Sequence, residues 1–253
     1  MAVTGDRRRG IELLGAEDVA GLLGVKESTV WRWCREGNLP CLKMGKHWRV
    51  SRGALEEFLK EKEHSTTLVG QLGSFLRVPD NVLAIAQNLD LLHRLDAAFF
   101  RVGETRGGLL VKFHAGEDSP PDELIAQFEE NGLAAGRLQR EGRLLMRSEE
   151  DPLGGREDQL GRLIEEGVSE GRTIWASFDW VKQVDLEMAL KQQERLSALV
   201  DTQQLVIKTA AHEEAIDEWS STSLRRAQAL HSGMILASES GLSLVRAAPM
   251  PAS

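Results

Sequence analysis

The chain has 253 residues, 42% of them hydrophobic, and a formal net charge of −8 at pH 7. This length and apolar content are enough for one large or two modest folded domains, and they exclude a disordered chain. The longest apolar stretches are far shorter than the roughly 18 residues that a membrane-spanning helix needs. The arginines at 7–9 are followed by no hydrophobic segment, so we expect a cytoplasmic protein without a signal peptide and without a membrane partner.

The charge is unevenly divided along the chain. Residues 1–64 contain 12 basic and 10 acidic side chains, a net charge of +2, whereas residues 65–253 contain 19 and 29, a net charge of −10. Between Lys26 and Arg52, seven lysines or arginines stand against two acids, a local charge of +5. A basic segment in an otherwise acidic chain indicates that the two parts have different partners.

Two helices are predicted near the start of the chain. Apolar residues at helical spacing predict helices over 16–23 and 26–36, joined by a short link that contains Gly24. Two short helices with a glycine-containing turn form a helix-turn-helix. Gly37 and Pro40 end the second helix, because glycine accepts left-handed angles past a helix end and proline cannot continue the hydrogen-bond ladder.

A hairpin and a third helix follow. Residues 41–44 and 47–50 are predicted to form two short strands around a turn at Gly45-Lys46. Ser51 is a good N-cap residue for the helix that comes next. That helix has one apolar stripe, formed by Leu55, Phe58 and Leu59. We expect the stripe to close a small core.

The second predicted helix has two unlike faces. Its apolar side is formed by Val30, Trp33 and Cys34. Its polar and cationic side is formed by Ser28, Trp31, Arg32 and Arg35. Arginine can pair bidentately with guanine, and lysine adds salt-dependent affinity for phosphates, so this side suits double-stranded DNA. The alternative interpretation is a solvated basic face without a partner.

A resemblance to a known family covers residues 13–59, LLGAEDVAGLLGVKESTVWRWCREGNLPCLKMGKHWRVSRGALEEFL. They resemble the excisionase-type, MerR-like winged helix-turn-helix, which implies that the second helix enters the major groove while the hairpin, or wing, rests on the flanking backbone. From this resemblance and the charge pattern, the predicted DNA-binding residues are Lys26, Ser28, Thr29, Arg32 and Arg35 on the helix and Lys43, Lys46, His47 and Arg49 on the wing. The resemblance also implies that Trp33 is a core residue and that Trp31 and Trp48 stack between helix and wing.

Both cysteines of the chain, Cys34 and Cys41, lie in this basic segment. A reducing cytosol argues against a structural disulfide, and the spacing matches no zinc pattern. We therefore expect one buried thiol on the helix and one thiol on the strand. With His47 and His64 nearby, a thiol–histidine metal site or a redox switch is the alternative.

From residue 79 the pattern changes to alternating strands and helices. The predicted strands cover 81–86, 109–113, 142–147, 172–178 and 205–209, the predicted helices cover 89–101, 121–130, 159–167, 186–200 and 223–231, and a hairpin covers 234–245. Such alternation predicts βαβ units, so we assign an α/β fold with a mostly parallel central sheet and helices on both faces. The predicted domains are a winged helix-turn-helix over 1–62, a linker over 63–78 with room for a short helix, and an α/β domain over 79–253.

Several short phrases in the α/β region carry a second resemblance. They are Glu130-Asn131-Gly132-Leu133 with Glu141-Gly142-Arg143-Leu144, then Gln193-Glu194-Arg195-Leu196, and Leu230-His231. These phrases and the element order resemble the MEDS family of sensory domains, which look like degenerate relatives of RecA and KaiC ATPase cores. The chain has Ile207-Lys208-Thr209-Ala210 where that family has a cysteine and an acidic–aromatic pair, so the family's ligand chemistry is not carried over.

Nucleotide hydrolysis is not expected. The loop after the first α/β strand would need a GxxxxGK[ST] phosphate cradle, but it reads Gln87-Asn88-Leu89-Asp90. This loop has no glycine and no lysine, and its aspartate adds a negative charge. No Ser/His/Asp or Cys/His arrangement has local support either, so we expect no enzyme, no cofactor and no metal site.

The default pocket of a mostly parallel sheet lies at the carboxyl ends of its strands. The candidate ligand-binding residues are Trp175, Asp179, Glu194 and His231. Structural interpretations compete with these assignments: Trp175 as a core residue, Glu194 as a solvated carboxylate, and His231 as a cap at a helix C-terminus.

Together these patterns predict a sequence-specific DNA-binding transcriptional regulator with a sensory or regulatory α/β domain. A single reading unit of this size binds weakly, so we expect a homodimer on paired half-sites. A small-molecule effector or a protein partner would act through the α/β domain. The alternatives are an architectural or recombination accessory protein and a DNA-tethered enzyme that acts on a nucleotide or small metabolite.

Overall fold

The computed structural model describes residues 13–45, 47–114, 120–149, 155–166, 170–180, 185–217 and 219–246, apart from the side chains of 60–66 and 186. The chain divides into two compact units, Met1–Thr67 and Leu68–Ser253. Among the described helices, none has both the length and the apolar content of a membrane span.

The first unit is a small α/β module. Its elements are β1 Leu13–Gly15, α1 Ala16–Leu23, α2 Glu27–Glu36, β2 Leu42–Met44, β3 His47–Ser51 and α3 Arg52–Thr66. The three strands form an antiparallel sheet in the order β1-β3-β2. The prediction of two helices, a hairpin and a third helix is confirmed, and β1 is an addition that the sequence did not signal.

Local chemistry explains where these helices begin and end. Gly24 follows α1 with a φ of 64°, the left-handed angle that a helix end favours in glycine. The Ser51 hydroxyl accepts a hydrogen bond from the Ala54 amide at 3.1 Å, so it caps α3 as predicted. The core of the unit is formed by Ala16, Val19, Ala20, Val30, Cys34, Leu39, Val50, Leu55 and Phe58. Leu59 differs from the prediction, because it is 38% exposed and lies outside this core.

The second unit is a layered α/β domain. Its helices are α4 Leu68–Phe75, α5 Leu89–Thr105, α6 Pro121–Glu130, α7 Ala135–Arg140, α8 Arg156–Glu165, α9 Leu186–Thr202 and α10 Ser221–Ala229. Its strands are β4 Asp80–Ala86, β5 Leu109–His114, β6 Leu144–Ser148, β7 Ile174–Trp180, β8 Leu205–His212, β9 Gly233–Ser238 and β10 Gly241–Arg246. A short 3-10 helix, Glu213–Ile216, follows β8.

Seven strands form one sheet in the order β10-β9-β4-β8-β7-β5-β6. Every neighbouring pair is parallel except β9 and β10, which form an antiparallel hairpin. Apolar side chains of α4 to α7 pack on one face, and those of α8, α9 and α10 pack on the other. The predicted fold class, a mostly parallel sheet with helices on both faces, is confirmed.

Three elements of the second unit differ from the sequence patterns. The segment predicted as a linker with room for a short helix does contain one, α4, but its Leu72 is fully buried in the core of the second unit. Helix α7 was not predicted, because six residues with only one large apolar side chain, Leu138, give no detectable period. Strand β8 continues three residues past its predicted end, since Ala210 and Ala211 carry little strand signal by themselves.

Candidate nucleic-acid interface and the charged core of the second unit

Helix α2 has the two faces that its sequence predicts. Val30 and Cys34 are buried in the core, and Trp33 packs at its edge with its ring 5.3 Å from that of Phe58. The opposite side is exposed and consists of Ser28, Trp31, Arg32 and Arg35. The apolar face fixes the rotation of the helix, so the guanidinium groups are directed to solvent.

Backbone contacts hold both ends of α2. The Thr29 amide donates to the Lys26 carbonyl at 2.9 Å in the first turn. At the other end Gly37 has a φ of 76°, and the amides of Asn38 and Leu39 donate to the Trp33 carbonyl at 2.9 and 3.2 Å. The side chain of Leu39 is fully buried in the core of the first unit, so the turn after α2 is anchored independently of the hairpin.

The hairpin of β2 and β3 is the predicted wing. All three residues of β2 are exposed, and within the described part of the first unit this strand pairs with β3 alone. Lys43 lies opposite Trp48 in the register, with its Nζ 5.7 Å from the centre of the indole ring. His47 is exposed and Arg49 is half-buried, while Lys46 lies outside the described residues.

The structure therefore exposes most of the predicted DNA-binding residues. Lys26, Ser28, Arg32, Arg35, Lys43 and His47 are exposed, whereas Thr29 and Arg49 are half-buried. The expected stacking of Trp31 with Trp48 is wrong for the described rings. Trp31 is 46% exposed beside Arg32, whereas Trp48 lies on the wing beneath Lys43.

The two cysteines are not separate thiols, as the sequence pattern indicated. Cys34 and Cys41 are joined as a disulfide, with their Cα atoms 5.4 Å apart. The turn from Gly37 to Pro40 reverses the chain and returns Cys41 to the last turn of α2. A separation of seven residues in the sequence does not show whether two cysteines lie within bonding distance unless the turn geometry is known, which is why the prediction failed. Among the described residues, no group of three or more His, Cys, Asp or Glu is placed to hold a metal ion.

A charged cluster is buried between α5 and the middle of the sheet. Lys112, Ser177 and Lys208 occupy one level of the neighbouring strands β5, β7 and β8, because Lys112 pairs with Ser177 and Ser177 with Lys208. Asp96 on α5 lies 2.7 Å from the Nζ of each lysine and accepts a hydrogen bond from the Ser177 hydroxyl. Asp179 forms a further ion pair with Lys112. We call these five residues the charged core cluster.

Mutual attraction favours the charged forms of Asp96 and Lys112 despite their burial. Burial opposes ionisation of Asp96, but the charges and hydrogen bonds of Lys112 and Lys208 outweigh it and hold the pKa of Asp96 far below its usual range. Burial likewise opposes the charged form of Lys112, yet Asp179 and Asp96 raise its pKa above the ordinary value. The formal charges of two lysines and two aspartates cancel, so the cluster is formally neutral within an apolar layer.

The predicted ligand-binding residues do not form one pocket. Trp175 is fully buried, with its ring 5.3 Å from that of Phe99, so it is a core residue. Asp179 lies near the carboxyl end of β7 with its side chain 16% exposed, and its partner is Lys112. Glu194 is exposed on α9.

His231 lies at the other end of the strands from Asp179. It is 3% exposed, and it is followed by Ser232, whose amide donates to the carbonyl of Asn81 near the start of β4. Its Nδ1 donates to the Ala227 carbonyl at 2.7 Å. The competing interpretation as a helix cap therefore describes this histidine better than the ligand assignment.

Sequence reasoning singled out Asp179 but missed the other charged residues of the second unit's core. A lysine stands in each of two apolar strand runs, LLVKF at 109–113 and LVIKT at 205–209, and Asp96 lies on the apolar side of α5. Arg156 is also fully buried, between the rings of Phe178 and Trp180 at 4.7 and 5.6 Å, and pairs with Glu149 at 3.0 Å. A single charged residue within an apolar strand, together with an opposite charge on the apolar face of a helix, could have predicted a buried ion pair.

We predict a pH dependence of stability from His231. Burial lowers its pKa from 6.5 to about 4, and the bond to the Ala227 carbonyl offsets this only partly. Between these pH values His231 is largely protonated in the unfolded chain and largely neutral in the folded chain. The free energy of unfolding therefore falls as the pH drops from 6.5 toward 4. The loss at pH 5 should be about 2 kcal/mol.

Urea denaturation at neutral pH and near pH 5 measures this loss. Between these two pH values, the variant His231→Gln should lose about 2 kcal/mol less stability than the parent does. His47→Gln, on the exposed wing, is the control for the removal of a histidine. Equal slopes for His231→Gln and the parent would contradict the assignment.

Comparison with known proteins identifies the first of the two domains. A model of the helix-turn-helix domain matches residues 13–63, and no curated protein matches the chain. Among solved structures, the KaiC-like protein of the hyperthermophilic archaeon Pyrococcus horikoshii OT3 aligns with 64% of this chain and 72% of its own at 10% identity, with a TM-score of 0.46. The fold of the second unit rests on the strand order given above. Residues 13–63 are thus a helix-turn-helix domain, joined to a mostly parallel α/β domain.

Proposed function

We propose that the protein is a sequence-specific DNA-binding transcriptional regulator. The observation that carries this proposal is the exposed cationic side of α2 within a helix-turn-helix domain. Arg32 and Arg35 point to solvent from the helix, and Lys43 is exposed on the wing. Arginines on a helix suit base edges in the major groove, and a wing lysine suits phosphates beside it.

The second unit is proposed to sense a signal and to hold two copies together. One helix and one wing offer few base contacts, so specific control needs paired half-sites and therefore a homodimer. The net charge of −10 beyond residue 64 makes this part of the chain unsuited to DNA contact. A small-molecule effector or a protein partner would then change DNA affinity by favouring one arrangement of the dimer, without catalysis.

Selection of bound sites from a random duplex pool tests the proposal with the full chain. The expected result is one enriched motif, present as two half-sites about one helical turn apart, or roughly 10 base pairs. If no sequence motif were enriched among the bound duplexes at any salt concentration, sequence-specific binding would be contradicted. A single half-site without a partner would contradict the homodimer alone.

Removing the Arg32 guanidinium should weaken and relax recognition. We expect Arg32→Ala to reduce affinity for the selected site by about 5- to 150-fold, because one bidentate contact to guanine discriminates by roughly 1–3 kcal/mol. Lys43→Ala should weaken binding to all duplexes alike. It should also reduce by about 1 the magnitude of the slope of log affinity against log salt concentration. Fluorescence anisotropy with the selected and a scrambled duplex measures both effects.

The matched control is Arg225→Ala, which removes the same charge from an exposed position on α10 of the second unit. It should leave both affinities unchanged. If Arg32→Ala behaved like this control, α2 would not be the recognition helix.

A further inference from the structure

We infer that Cys34 and Cys41 form a thiol–disulfide exchange site that sets the position of the wing relative to the recognition helix and thereby regulates DNA affinity. This inference rests on the proposed function. The pair lies at the junction of the two DNA-binding elements, because Cys34 is in the last turn of α2 and Cys41 directly precedes β2. The chemical class of the co-reactant is a small thiol and its disulfide, such as glutathione.

The wing depends on this bond more than the helix does. Helix α2 is held by a buried face that includes Val30 as well as Cys34, and by the amides that donate to the Trp33 carbonyl, so most of its contacts do not involve the disulfide. Strand β2 is entirely exposed, and among the described strands it pairs only with β3. The disulfide is therefore the direct link between the start of β2 and α2, and its loss leaves β2 attached through β3 and the turn alone.

The two cysteines differ in exposure. Cys34 is 7% exposed and belongs to the core, whereas Cys41 is half-buried at its margin. A thiolate of the small thiol can therefore attack the Cys41 sulfur, which breaks the protein disulfide, forms a mixed disulfide at Cys41 and releases Cys34 as a thiolate that takes up a proton. A second small thiol then attacks the mixed disulfide and frees Cys41. In balance, two small thiols are oxidised to one small disulfide while the protein disulfide is reduced to two thiols.

The position of the bond gives the switch its direction. The linked form fixes Lys43 and His47 near α2 in one arrangement, whereas the reduced form regains backbone freedom that DNA binding must remove again. Ordering one backbone residue corresponds to about a tenfold change in affinity. In a reducing compartment the dithiol form is the resting state, so an oxidising signal would strengthen DNA binding.

Measurement of thiol content and DNA affinity on the same samples tests this inference. The full chain is equilibrated with glutathione buffers that range from fully reduced to fully oxidised. Maleimide labelling followed by mass spectrometry counts free thiols, which should change from two to none because the chain has only these two cysteines. Anisotropy with the selected duplex should show about tenfold tighter binding in the oxidised form.

The variant Cys41→Ala provides the control, because it removes the less buried sulfur and leaves Cys34 in the core. Its affinity should equal that of the reduced parent in every buffer. Thiols that exchange without any change in affinity, or a disulfide that no buffer reduces in the folded chain, would overturn the inference. Failure of both redox forms to bind any duplex would instead overturn the proposed function, since thiol counting does not depend on DNA.

Discussion

Replacing Asp96 with leucine should lower the free energy of unfolding of the second unit by about 3–5 kcal/mol, because it leaves buried lysines without their shared counter-ion. Asp96 is fully buried and lies 2.7 Å from the Nζ of both Lys112 and Lys208. Without it, Asp179 remains close to Lys112 but lies 4.0 Å from Lys208. One buried positive charge is then uncompensated, and the cost of its desolvation is no longer offset.

A second substitution separates charge balance from packing. The double variant Asp96→Leu with Lys208→Met leaves the neutral pair of Lys112 and Asp179, so it should regain at least about 2 kcal/mol over the single variant. Asp90→Leu on the same helix is the exposed control, and its loss should stay within about 0.5 kcal/mol because its pair with Arg94 is in solvent. Urea denaturation followed by far-UV circular dichroism measures all three. A double variant no more stable than the single one would show that charge balance does not explain the cluster.

The fold was predictable because its strongest signals are local. Apolar periodicity places α2, α5 and the strands of the sheet close to their observed bounds, and the alternation of strands and helices restricts the topology to a mostly parallel sheet. Elements with weak local signals were missed, such as α7 and the end of β8. Their conformations depend on the neighbours that cover them, which a single sequence does not reveal.

The candidate sites were predictable to different extents. The exposed side of α2 follows from helical geometry and a buried opposite face, so Arg32 and Arg35 could be placed from the sequence. The disulfide depends on how the turn after Gly37 returns the chain, and the charged core cluster depends on register between strands far apart in sequence. Such contacts are set by the tertiary fold, so residue type and spacing could not reveal them.

Trp175 was a candidate ligand-binding residue, but its surroundings make it a core residue. The indole ring is fully buried and packs against Phe99, beside the helix that carries Gly103. A Cβ atom added at Gly103 would lie 2.7 Å from the Cγ of Trp175 and 2.8 Å from the Cδ2 of Leu110. The helix and the ring can approach this closely because residue 103 has no side chain, and no room for a ligand remains between them.

We expect Trp175→Ala to lower the free energy of unfolding by about 3–5 kcal/mol, through lost burial and the cavity left behind. Gly103→Ala alone should cost about 1–3 kcal/mol by overpacking. In the Trp175→Ala background most of that cost should vanish, because the added methyl group would enter the cavity and alanine favours the helix by roughly 1 kcal/mol.

Gly161→Ala is the matched control for the glycine, since Gly161 is also within a helix but has no atom within 4 Å of an added Cβ. It should stabilise the protein by about 0.5–1 kcal/mol in either background. Chemical denaturation of the four combinations of Trp175 and Gly103 gives the coupling energy directly. Additive losses would mean that the ring and the helix do not press on each other, and the site beside Trp175 would again be open to a ligand. Strong coupling would instead assign this ring to the packing that holds α5, and with it Asp96, against the sheet.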